Sequence, residues 1–219
     1  MIIDNITIHD KNLFSVLNPF NKEVIGSVAD ATTSDIHNAL QKSYDYQCNL
    51  SPIERKKILL ESAKYMERHK FDLSKLITIE SGLCLKDTIY EVERVINCAK
   101  YSAKVCLTVE KDITEEFVLD TENSPKLQVI TEPLDLVVAI TPFNHPMNQV
   151  AHKIFPAIAA GSSVVLKPSE KTPLSAIRLV EILIENGLPP NMVNVITCKD
   201  PSKSLKDILS FPNIDMITF

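Results

Sequence analysis

The chain has 219 residues, of which 45% are apolar and 23% charged, and carries a net charge of −5. That is enough apolar material for a soluble core, and the interspersed, slightly acidic charge tells against nucleic acid or an anionic membrane as a partner. No stretch approaches the roughly 20 apolar residues of a membrane span, and "MIIDNITIHD" lacks the basic and apolar regions of a secretory signal. The five cysteines, Cys48, Cys84, Cys98, Cys106 and Cys198, include no C-x-x-C pair. This predicts neither a disulfide framework nor a metal site, and a reducing cytoplasm as the setting. Only Gly26, Gly82, Gly161 and Gly187 are glycines, and no G-x-G-x-x-G phosphate loop is present.

In chain order, residues 1–30 read as short extended pieces with "NPFNKEVIG" as a turn. From about 33 to 107 the pattern is helical. Thr33 or Ser34 is the expected cap of "DIHNALQKSYDY", and Ser51 caps a helix with Pro52 at its start. Leu59, Ala63 and Met66 share one helical face. Ile89, Val92, Ile96, Ala99, Ala103 and Cys106 form a longer seam. Residues 115–133 read as two strands around "TENSP", a pair placed to act as an arm on a neighbouring subunit. The resulting division is 1–108 for N-terminal strands and helices, 109–131 for the arm, and 132–219 for the last block.

That last block alternates clearly. "LDLVVAI", "SSVVLK", "MVNVIT" and "IDMITF" read as strands. "MNQVAHKIFPAIAAG", "TPLSAIRLVEILIENG" and "PSKSLKDILS" read as helices, the second with Thr172 as cap, Pro173 at its first position and Gly187 as terminator. Four strands and three helices predict an α/β, doubly wound, mostly parallel Rossmann-like sheet preceded by a helical segment. Such sheets bind ligands beyond the carboxyl ends of their strands, so "TPFNHP", "KPSE" and "TCKDP" are the segments to inspect. Lys167, Ser169 and Glu170 offer an ammonium, a hydroxyl and a carboxylate suited to a ribose; from spacing alone the favoured reading is a solvated ion pair and a turn residue. Asn144, held between Pro142 and Pro146, can donate from its side-chain amide to a developing oxyanion. An asparagine there also serves as an Asx turn or a helix cap.

Taken together, these residues resemble the aldehyde dehydrogenase superfamily. The likeness rests on P-F-N, K-P-S-E-x-T-P and G-L-P-P at these spacings, with "NPFNKEVIG", "SPIERKKIL" and "ESG" earlier and in order, and it covers essentially the whole chain. It implies that Asn144 donates to the oxyanion of a thiohemiacetal and that Ile140, Thr141, Pro142 and Phe143 line a cofactor cleft. It also implies that Lys167 and Glu170, with Ser169 beside them, hold the adenosine ribose of NAD, NADP being possible. Lys153 would stand behind the asparagine in a polar network. The implied reaction is NAD(P)-dependent oxidation of a small-molecule aldehyde to the carboxylic acid, by a homo-oligomer when full length.

The chain departs from the family where the chemistry is heaviest. The family's nucleophilic cysteine and general-base glutamate fall beyond the point matching Phe219, and none of the five cysteines sits in a matching motif. The resemblance therefore implies the N-terminal portion of a longer enzyme, a truncated aldehyde dehydrogenase fold inactive by itself. The alternative is a non-catalytic dinucleotide-binding or interaction module. Cys198 and Asp135 stand where glycines are usual, and a Cys198 side chain is expected to crowd the cofactor. Within the family, "NHPMNQVAHK" is most similar to the branch containing phosphonoacetaldehyde dehydrogenase. That branch implies an anionic aldehyde held by His145 and Arg94. Without that reading, Arg94 pairs with Glu91 on an exposed helix surface and His145 faces solvent at a helix start.

Overall fold

A computed structural model describes residues 1–8, 12–108, 114–117, 127–130 and 132–219. The chain opens with a hairpin of β1 (Ile2–Ile3) and β2 (Ile6–Thr7). Between them Asp4 and Asn5 both take positive φ, 61° and 57°, the geometry of a two-residue I′ turn that short polar side chains tolerate. A second hairpin joins β3 (Leu13–Leu17) to β4 (Val24–Ala29) across the expected turn.

Four helices follow: α1 (Thr33–Tyr44), α2 (Pro52–Arg68), α3 (Lys70–Ser81) and α4 (Leu85–Val105). Ser51 and Glu54 form a capping box at the start of α2, as its sequence predicts. The cap of α1 is Thr32 rather than Thr33 or Ser34, because only from Thr32 does Asp35 lie three residues on, where its carboxylate reaches back to the cap N–H. Leu59, Ala63 and Met66 are buried, as are Val92, Ile96, Ala99, Ala103 and Cys106 of the longer seam, with Ile89 half-buried at its start. The predicted strand pair is β5 (Thr114–Phe117) with β6 (Leu127–Ile130), antiparallel. The turn expected at 121–125 lies outside the described residues.

The last block runs β7 (Leu136–Ile140), α5 (Pro146–Ala160), β8 (Ser163–Lys167), α6 (Pro173–Glu185), β9 (Val193–Val195), α7 (Pro201–Leu209) and β10 (Met216–Thr218). Strands β7, β8 and β9 are parallel neighbours, and β10 lies parallel to β7 on its other side. The expected doubly wound sheet is present, and β1–β2 extend it antiparallel beyond β9, an addition that the βαβ alternation does not reveal. Asn194 secures that edge: its Oδ1 accepts from Asp4 N at 2.9 Å, and its Nδ2 donates to Ser43 Oγ on α1 at 2.8 Å.

Val137, Ala139, Val164 and Leu166 face the layer of α2, α4, α5 and α6. Leu136, Val138 and Val165 face Ile36, Ala39 and Leu40 of α1 and Ile208 of α7. Burial on both faces is why these strands read as unbroken apolar runs. α5 and α6 carry the chain from β7 to β9 along one face, and α7 returns it across the other to β10. The direction of winding reverses at β7, so the carboxyl ends of β7 and β10 form the switch point where such sheets bind ligands.

Candidate functional site

The turn after β7 leaves the sheet through buried Thr141, whose N–H donates to Lys167 O at 3.2 Å, and then exposes Pro142, Phe143 and Asn144. The Asn144 side chain is exposed, makes no hydrogen bond among the described residues and caps no helix there. The N-cap of α5 is His145, without a side-chain cap bond. The cap arrives from another helix. Glu91 of α4 accepts from Met147 N and Asn148 N, both at 3.0 Å, and lies 3.2 Å from His145 Nδ1. At the other end of α5, Gly161 takes the left-handed conformation at φ 92°. Arg55 Nε there donates to Ala159 O at 3.2 Å, placing a cation at the negative end of the helix.

The loop after β8 faces the same mouth of the sheet. Lys167 is 4% exposed. Its ammonium donates to Pro168 O at 3.4 Å and forms no ion pair with Glu170. Ser169 acts as a turn residue, accepting from Lys171 N at 3.2 Å. Lys171 reaches across to lie over the Phe143 ring, 4.5 Å from its centroid, which ties the two loops together. A cleft of about 390 Å³ separates these loops from the β3–β4 hairpin and the end of α3; Phe143, Glu170, Lys171 and Thr172 line one side, Val16, Pro19 and Glu80 the other, and neither Asn144 nor Lys167 lines it. Thr172 stands at the N-cap of α6, yet its Oγ1 is buried without a partner. Glu80 of α3 caps α6 instead, accepting from Leu174 N and, at 3.0 Å, from Ser175 N. Burial raises the Glu80 carboxyl from 4.5 to about 7 despite those donors.

A second cleft, about 460 Å³, opens between α4 and α5 and is lined by Arg94, Cys98, Tyr101 and His152 among others. Arg94 is exposed and forms no ion pair among the described residues. The expected pair with Glu91 does not occur, because Glu91 turns inward to α5. His152 is held below its usual range by burial and by the positive charges of Arg94 and Lys153. His145 does not line this cleft. Lys153, lowered by burial, donates to Thr218 Oγ1 of β10 at 3.2 Å and has no bond to Asn144, so it stands at the switch point rather than behind the amide.

All five cysteines are free thiols, and burial pushes Cys98, Cys106 and Cys198 above the ordinary thiol range. Cys198 is packed with Ile36 and Ile208 on the α1–α7 side of the sheet. The residues missed in sequence are Glu80, Glu91 and His152. The two glutamates carried a signal: Glu80 continues Leu73 and Ile77, and Glu91 continues Thr88 on a face that also holds Val92 and Val95. A carboxylate on a buried stripe requires a partner.

The sequence model of the aldehyde dehydrogenase family matches residues 6–219. Aspartate-semialdehyde dehydrogenase 1 of Pseudomonas canavaninivorans is 38% identical over 93% of this chain and 44% of its own length. For 3-sulfolactaldehyde dehydrogenase of Priestia aryabhattai the values are 33%, 93% and 43%. The crystal structure of Staphylococcus aureus betaine aldehyde dehydrogenase in complex with NAD+ superimposes with a TM-score of 0.88 at 28% identity, covering 99% of this chain and 43% of that one. The chain thus spans less than half the length of these relatives.

Proposed function

Because this chain belongs to the aldehyde dehydrogenase family, we propose that it supplies the cofactor cleft and the oxyanion donor for NAD-dependent oxidation of an aldehyde to the carboxylic acid. The observation that carries this reading is Asn144, an amide with no hydrogen-bond partner among the described residues, in the turn after β7 beside the loop of Lys167, Ser169 and Glu170. An amide that makes no internal hydrogen bond breaks none when negative charge develops on a carbonyl oxygen.

The residues at the second loop fit a dinucleotide. The Glu170 carboxylate can accept both hydroxyls of a ribose, which favours NAD over NADP. The Lys167 ammonium donates to a carbonyl at 3.4 Å, and the buried, unpartnered Thr172 Oγ1 belongs to a residue lining the same cleft as Glu170. When bound, the nicotinamide accepts a hydride. Ile140, Thr141, Pro142 and Phe143 shape the wall beside it, and the Phe143–Lys171 contact narrows the mouth.

For the substrate we propose an anionic aldehyde, of which phosphonoacetaldehyde is one example. Arg94, without an ion pair among the described residues, supplies a cation at the α4–α5 cleft, and His145, next to the oxyanion donor, supplies a second when its ring is protonated. Relatives whose names specify semialdehydes of dicarboxylic acids or a sulfonated aldehyde accord with this choice. The setting is a reducing cytoplasm, and the β5–β6 pair is the arm that contacts a second copy. These 219 residues are expected to turn over no aldehyde by themselves, since none of the five cysteines stands in the family's nucleophile motif, and burial moves Cys98, Cys106 and Cys198 away from the thiolate form. That same observation favours the second reading, a dinucleotide-binding module without catalysis.

Calorimetric titration tests the shared core of both readings. NAD should bind the folded chain, and Glu170→Ala should weaken it by about tenfold, the loss of a charge-assisted hydrogen bond. A folded chain that gives no binding, or a Glu170→Ala variant with unchanged affinity, overturns the cofactor assignment. Aldehyde-dependent NADH formation by the purified chain would decide against the non-catalytic module.

A further inference from the structure

Glu91 is 1% exposed at its side chain, and a carboxylate taken out of water costs several kcal/mol unless it is bonded. Its bonds are all to one short stretch of another helix. Oε1 accepts from Met147 N and Asn148 N, and Oε2 faces His145 Nδ1. Pro146, the first residue of α5, has no N–H to offer, so Met147 and Asn148 present the first free donors of the helix. In most helices the residue before the first turn supplies that acceptor. Here that residue is a histidine that makes no cap bond, and α4 supplies the acceptor instead.

Asn144 is the residue immediately before this knot, and we propose that Glu91 is its positioning residue. By tying the His145 ring and the first two N–H groups of α5 to one buried group, Glu91 fixes the direction in which the Asn144 amide leaves the chain. It also commits Nδ1 of His145 as a donor, leaving Nε2 as the one ring nitrogen that a ligand can use. The proposal rests on the reading of Asn144 as the oxyanion donor. Positioning is nevertheless measurable without any substrate, so its failure and the failure of that reading are separable.

The experiment is NMR on the isotopically labelled chain, compared with Glu91→Gln and Glu91→Ala. In the wild type the neutral His145 ring should carry its proton on Nδ1, and the Asn144 side-chain NH2 should give one ordered pair of resonances. In Glu91→Ala the ring should revert to the Nε2–H form usual in water. The Met147 and Asn148 amides should exchange about tenfold faster, the loss of a hydrogen bond to a charged group, and the Asn144 NH2 should take solvent-averaged shifts while amides of β8 keep their protection. A purely structural role would slow or speed exchange throughout the sheet without changing the tautomer. A wild-type ring protonated on Nε2 overturns the proposal with no variant needed. Should Glu91→Ala unfold, Glu91→Gln decides: it keeps the shape and removes the charge, and unchanged Asn144 resonances in it also overturn the proposal.

Discussion

Arg94 shows how a single side chain can be misjudged from spacing. Three residues after Glu91 it looks like half of a surface ion pair, which would leave it worth only tenths of a kcal/mol. The buried bonds of Glu91 to α5 remove that partner, and Arg94 is left exposed beside a 460 Å³ cleft together with His152. An unpaired guanidinium offers bidentate donors to a carboxylate or phosphonate. In the active enzyme, Arg94→Ala should therefore raise KM for an anionic aldehyde by about tenfold or more, the loss of a charged hydrogen bond. The KM for propanal should change little, and equal effects on both substrates would refute the role. Asn144, Lys167 and Glu170 were legible as residues with chemistry at strand ends. Their partners, or lack of partners, were not, since an amide that is free and one that caps a helix look alike in a sequence.

At the scale of elements, the ends of the helices divide into two kinds. α1 and α2 are capped by residues within four positions; the box of α2 was legible from Ser51, while that of α1 begins one residue before the caps expected. α5 and α6 are capped by glutamates on α4 and α3, 56 and 95 residues away in the chain, a pairing that no local pattern encodes. Glu80 makes the difference measurable. With its carboxyl raised from 4.5 to about 7, the folded protein holds a proton there that the unfolded chain has released. Its contribution to stability is full below 4.5 and is lost as pH rises through about 7. Thermal or urea unfolding should therefore show stability increasing from about pH 8 to about pH 5, by up to about 3 kcal/mol from this group. Glu80→Gln should flatten the dependence in that window. A wild-type profile already flat there, or a Glu80→Gln profile that still rises, would remove Glu80 from the account.

At the scale of the whole molecule, α5 is the element on which everything converges. Its buried face packs on the sheet and on α4, with Phe155 wholly buried at its centre, and its start carries the donor turn. Phe155→Ala should lower stability by about 3–5 kcal/mol, seen as a lower urea midpoint with an unchanged slope. A loss below about 1 kcal/mol would mean that the α5 layer is not the core described. The sequence by itself determined the alternation of strands and helices, the parallel sheet, the cap of α2, and the loops at the ends of the strands. Periodicity, caps and turns are local properties, and local properties survive in a linear string. Only the tertiary structure decided that β10 crosses back beside β7, that β1–β2 extend the other edge, and that Glu91 and Glu80 cap α5 and α6. Those outcomes depend on which distant groups share a buried space, where a carboxylate must find a donor wherever the fold places one.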